Sequence, residues 1–208
     1  MRQVGLIAGA AVTALVAAGA ITYAVAGDEG SDRVPSAASA DAGFARDMAV
    51  HHQQAVEMSY VVRDRTDDEE VRRLAYDIAQ TQANQRGMLL GWLDLWELPK
   101  VSAEPPMTWM DMGGAAGSGE DGALMPGMAT NAEMKRLASL GGERAEVFYL
   151  QLMTDHHRGG VHMAQACVRA CEVGVEKRLA RGMVEGQESE IRLMAGMLRE
   201  RGAAPRGE

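Results

Sequence analysis

All five histidines of this 208-residue chain fall in two short stretches. The first reads Met48-Ala-Val-His-His-Gln-Gln-Ala-Val-Glu-Met58 and contains His51 and His52. The second reads Met153-Thr-Asp-His-His-Arg-Gly-Gly-Val-His-Met163 and contains His156, His157 and His162. Sliding the first forward by 105 positions lays Met48, His51, His52, Val56 and Met58 on Met153, His156, His157, Val161 and Met163. Imidazole nitrogen and thioether sulfur together suit copper: Cu(II) takes the imidazoles, and Cu(I) accepts both donors. Zinc fits less well, because histidine pairs bind it but methionine is a poor zinc ligand. Glu57 and His162 occupy the equivalent position before the second methionine of each copy and complete the candidate donor set.

The repeat extends beyond the histidines. At the same offset Arg73-Leu74-Ala75 matches Arg178-Leu179-Ala180, Gln82 matches Gln187, Gly91 matches Gly196 and Leu93 matches Leu198. Phe44, Met48, His51, Ala55, Met58 and Val62 recur at spacings of three and four, which predicts one stripe of a helix from about Asp41 to Arg65. Glu57 points nearly opposite Met48 on that wheel, toward a solvated face. Thr66-Asp-Asp-Glu69 reads as a capping box opening a second helix that runs to about Leu98, before Pro99. The acidic run Asp67–Glu70 suits a helix N-terminus better than a metal. Thr130-Asn-Ala-Glu133 is a second capping box, opening a short helix to about Ser139. Long helices follow over about 143–172 and 175–201. Each hairpin has an amphipathic face that it cannot bury alone. Two hairpins packed together (repeat one 44–98, repeat two 148–202) make an all-α, antiparallel four-helix bundle over residues 41–202.

Between the repeats lies a Gly- and Pro-rich loop, 99–129, carrying Met107, Met110, Met112, Met125 and Met128. A long loop in a compact domain is usually functional or disordered. The methionines read either as Cu(I) ligands or as anchors of the loop. Gln82, Gln85, Gln187 and Glu190 on the facing helices are candidates to hold the outer nitrogens of ligating histidines. Imidazoles protonate near pH 6.5, so metal affinity should fall below about pH 6. Cys167 and Cys171 lie four apart and read equally as a disulfide, a soft metal site or two buried thiols.

Residues 4–26 are apolar without a charge and follow Arg2, which fits a membrane anchor or a signal peptide cleaved after Ala24-Val-Ala26. Residues 27–40 read as a flexible linker. Either way the remainder is exported. A net charge of -8 argues against a nucleic-acid partner. No nucleophile constellation, haem motif or phosphate loop is present, and the Glu-x-x-His pairs of a di-iron centre are missing. Three functional classes remain: copper binding and transfer to an acceptor, a metal-dependent redox enzyme, or a structural subunit of a membrane complex.

The doubled Met-x2-His-His-x4-(Glu/His)-Met pattern, each copy followed by a helix with an inner glutamine and separated by Met125-Pro-Gly-Met128, resembles the bacterial family catalogued as domain of unknown function 305. The resemblance covers about residues 41–202. It implies a ferritin-like four-helix bundle, export or membrane anchoring, and an association with copper. The copper implication falls on Met48, His51, His52, Met58, Met153, His156, His157 and Met163.

Overall fold

A computed structural model describes residues 34–110 and 119–207. The anchor or signal segment at 1–26, most of the linker, and Met112 lie outside the described residues. Helix α1 spans Ala40–Arg63, α2 Glu69–Leu95, α3 Asn131–Ser139, α4 Glu143–Ala170 and α5 Gly174–Glu200. Among the described residues there is no strand, and no helix is long and apolar enough to cross a membrane. The four long helices form the bundle. Hairpin α1–α2 and hairpin α4–α5 pack internally, and α1 against α4 joins them. Shifting α2 by 105 positions reproduces the bounds of α5.

The helix boundaries follow from capping chemistry. Ser39 caps α1 by accepting from Ala42 N, and Thr130 with Glu133 forms the expected capping box of α3. Helix α2 departs from expectation: Asp68, not Thr66, accepts from Val71 N at 2.8 Å. The Thr66 hydroxyl is used elsewhere, accepting from Asp68 N and donating to the buried Glu146 at 2.5 Å. Glu146 in turn accepts from Arg201, which also pairs with Asp68, so one polar cluster ties the start of α2 to α4 and the end of α5.

Helix α2 also ends earlier than Pro99 requires. Glu97 adopts φ +55°, and the Leu98 N–H bonds to Leu93 O, a Schellman turn. The same turn closes α5 at the equivalent position, where Gly202 has φ +64° and Ala203 N bonds to Leu198 O.

Two apolar clusters divide the interior. One holds Met48, Met163, Leu89, Leu93, Met107, Met110 and Met125. The other holds Met58, Met153, Ile78, Tyr149 and Leu152. Each contains one motif methionine from α1 and one from α4, so the two copies run past each other in opposite directions.

Candidate metal centre

His51, His52, His156 and His157 are fully buried where α1 crosses α4. The inner pair meets: the rings of His51 and His156 lie against each other at a tilt of 33°, with centroids 3.7 Å apart. The outer pair diverges, each toward its own hairpin partner. His52 Nε2 lies 2.8 Å from Gln85 Oε1, and His157 Nε2 lies 2.6 Å from Glu190 Oε2. Gln85 and Glu190 are equivalent positions of the repeat, so the two contacts are one design used twice. The inner histidines bond to backbone: His156 Nε2 donates to His51 O at 2.9 Å, and His51 Nε2 to Pro126 O at 3.3 Å.

These partners set the tautomers. A carbonyl or carboxylate oxygen only accepts, so Nε2 of each ring carries the proton and Nδ1 carries a lone pair. All four Nδ1 atoms are buried and have no hydrogen-bond partner. Burial also favours the neutral form of His51, His52 and His156. Desolvation lowers the pKa of His51 to about 4, with Pro126 O opposing and His157 adding to the shift. Desolvation and then the charge of His51 lower His52 to about 3. Desolvation, reinforced by His51 and His157, holds His156 well below the ordinary imidazole value.

The described parts of the loop between the repeats, 99–110 and 119–129, fold onto the bundle as a strap. Asp47 on α1 accepts from Met107 N at 2.7 Å and from Trp109 Nε1 at 2.8 Å. The Trp109 ring packs where a Cβ on Gly43 would collide with it. Farther on, the Gln54 amide clasps the backbone of Ala129 twice, at 2.7 and 2.8 Å. The Pro126–Gly127 backbone presses onto α4 so closely that a Cβ at Gly159 would strike Pro126 O. Gly127, at φ +78°, meets Asp155 O with the same closeness. Met107, Met110 and Met125 are thereby buried in the cluster of Met48 and Met163, with Met128 partly buried against it.

The sequence-predicted residues are thus distributed unevenly. The four paired histidines and all four motif methionines are buried. His162 is half-buried, and Glu57 is exposed and accepts from Gln53 one turn away, so Glu57 belongs to the solvated face. Of the four residues expected to hold the histidines, Gln85 and Glu190 do so. Gln82 and Gln187 are buried but leave both amide atoms unpartnered. Pro126 O and His51 O, which take the other two histidines, carry no side-chain signal. Among the described residues no three of the histidines are grouped closely enough to hold one metal ion by themselves. The only three-donor set of His, Cys, Asp or Glu among the described residues is Cys167, Cys171 and Glu176. Cys167 and Cys171 are joined in a disulfide.

The donors fit a copper ion in chemical type. Nδ1 lone pairs with their outer nitrogens already fixed are what a metal-binding imidazole requires. With fewer than three histidine nitrogens within reach of one another, thioether sulfur is the remaining soft donor.

A crystal structure of a DUF305 protein from Streptomyces coelicolor, described as a candidate secreted protein, is 74% identical, covers 83% of this chain and 100% of its own, and superposes with a TM-score of 0.77. A DUF305 fragment from Deinococcus radiodurans is 31% identical over 77% of this chain and 96% of its own, with a TM-score of 0.63. CopM in its Cu(I)-bound and Cu(II)-bound forms shares the fold at TM-score 0.59, with 19% and 22% identity over 77% of this chain and 96% of its own. No curated protein sequence matches. The family profile named Domain of unknown function (DUF305) matches residues 41–198, and the chain belongs to that family.

Proposed function

We propose that this chain is an extracytoplasmic copper-binding protein that takes the metal into its histidine–methionine interior and holds it or hands it to an acceptor. One observation carries the reading: four buried imidazoles each have Nε2 engaged as donor and Nδ1 bare. Leaving a buried acceptor without a partner costs about 1–3 kcal/mol, so four such atoms in one layer call for a ligand. Copper suits them because motif methionines flank the layer on both sides. The Met48–Met163 side, with the strap methionines beside it, is the richer in thioether and suits Cu(I). The metal would bring Lewis acidity and, for copper, one-electron chemistry. The histidines and methionines of this chain would supply binding, orientation and exclusion of water. Export is supported by the apolar run at 4–26 and by the candidate secreted relative at 74% identity.

The test is titration of the full chain with Cu(I) and Cu(II) against a competing chelator. Wild type binds stoichiometrically. His51→Ala with His156→Ala loses most of that binding. Met48→Leu with Met163→Leu keeps core volume and fold, weakening Cu(I) while leaving Cu(II) nearly unchanged. Binding that survives both replacements overturns the reading.

A further inference from the structure

At the other end of hairpin α4–α5 lies a second group of donors, separate from the histidine layer. Cys167 sits in the last turn of α4 and Cys171 caps that helix; Glu176 stands in the first turn of α5. One donor atom from each lies within 4.8 Å of the others. Cys167 and Glu176 are fully buried, and Cys171 is nearly so. No donor fixes the oxygens of Glu176; burial, and then the neighbouring Asp41 carboxylate, the one side chain it faces as a partner, raise its pKa to about 9. Such a carboxyl is costly to bury, and the repeat shows that packing does not demand it. Moving back 105 positions, Cys167, Cys171 and Glu176 become Val62, Thr66 and Val71. Val62 and Val71 are fully buried there and fill the same places with hydrocarbon. The second copy has put a sulfur and a carboxylate where the first has apolar core, and a second sulfur where the first has the Thr66 hydroxyl.

The disulfide has little structural use. It spans a sequence separation of four and ties the end of α4 only to its own cap. Closing so short a loop removes little entropy from the unfolded chain. Opening it would release two soft donors facing a carboxylate.

We propose that the reduced Cys167–Cys171 pair and Glu176 form a redox-gated site for a borderline divalent cation of the zinc type, closed when the disulfide forms. Two thiolates and a carboxylate are three protein ligands that zinc accepts, leaving a fourth position for water. The carboxylate favours Zn(II) over Cu(I), which prefers sulfur throughout.

A dithiol gives up two electrons and two protons and becomes a disulfide. The Cys167–Cys171 bond breaks, leaving two thiols. The divalent ion then displaces one proton from each sulfur and one from the Glu176 carboxyl, and three protons pass to solvent.

The experiment uses the full chain with Co(II) as a spectroscopic stand-in for Zn(II). Protein is reduced with a phosphine, which ends as its oxide, and desalted without air. A parallel sample stays oxidised. The readout is the thiolate-to-cobalt charge-transfer band, which histidine and thioether ligands do not produce. The band rises to one equivalent in reduced protein only and is bleached by Zn(II). Cys167→Ser with Cys171→Ser abolishes it. Glu176→Gln and Glu176→Val weaken binding at least ~10-fold, the loss that outer-shell partners alone can cause. Glu176→Val also keeps or raises stability, because it restores the residue of the first copy. Absence of the band in reduced wild type, or affinity unchanged in both Glu176 variants, overturns the site.

Discussion

At equivalent positions of the two hairpins, His52 is held by the Gln85 amide and His157 by the Glu190 carboxylate. Gln54 of the first hairpin clasps the strap at Ala129, while Gly159 of the second makes room for the strap at Pro126. Asp47 anchors Met107 and Trp109, whereas its counterpart Leu152 is ordinary core. Positions that the hairpins share build the histidine layer and its methionine flanks. Positions where they differ receive the strap, whose buried methionines Met107, Met110 and Met125 pack on the Met48–Met163 side. Duplication therefore yields a symmetric interior, and a single connecting loop makes its two sides chemically unequal.

The shared positions should fail together. His51, His52 and His156 have folded-state pKa values below the ordinary 6.5. Below pH 6.5 the unfolded chain binds more protons than the folded one. Their contribution is therefore complete above 6.5 and is lost progressively as pH falls toward about 4 for His51 and about 3 for His52. Each buried histidine costs roughly 1.4 kcal/mol per pH unit across its window. Urea melts of metal-free protein from about pH 7 to about pH 4 should show this as the largest effect. A midpoint that stays flat contradicts it. The same burial moves proton competition for the metal to lower pH than the ordinary imidazole value suggests.

The differing positions should fail one at a time. Gly159→Ala drives a methyl into the Pro126 carbonyl and should cost about 1–3 kcal/mol while lifting the strap. The same change at its counterpart, Gln54→Ala, removes two hydrogen bonds to Ala129 but introduces no clash, so the strap should loosen without being expelled. Limited proteolysis between Met110 and Thr130 separates the two outcomes. Equal cleavage in both variants would mean that the strap does not depend on close approach to α4.

Glu190→Gln gives the second hairpin the partner found in the first. It replaces a charge-assisted bond with a neutral one and should cost about 1 kcal/mol. If His157 ligates the metal, affinity should also drop about 10- to 100-fold. The smallest effect is expected at Glu97, whose φ of +55° matches that of Gly202 in the second hairpin. Glu97→Gly relieves the left-handed conformation but loosens the unfolded chain, for a net gain of up to ~1 kcal/mol. A destabilised variant would show that the Glu97 side chain contributes more than its backbone costs.

The bundle was legible because a single offset of 105 runs through both hairpins, so helical period and repeat reinforced each other. Gln85 and Glu190 could be named because they sit on the faces opposite the histidines. The strap was harder to read. Gly159 looks like an ordinary helix glycine until Pro126 is seen against it, and Pro126 acts through its backbone. The orphaned amides of Gln82 and Gln187 were equally invisible, since the same helical face carries a bonded Gln85 or Glu190 three residues on. Thr66 was misplaced as a cap because its tertiary partner, Glu146, lies 80 positions away. Short-range signals marked the elements; contacts made across the bundle decided which of two local roles each residue took.

X-ray absorption of the copper-loaded full chain reads the donor atoms themselves. Imidazole nitrogen should appear in both oxidation states, with a sulfur shell that is present in the Cu(I) form and shrinks in Met48→Leu with Met163→Leu. A copper spectrum showing only light-atom scatterers, unchanged when His51 and His156 are replaced, would contradict a histidine–methionine copper site.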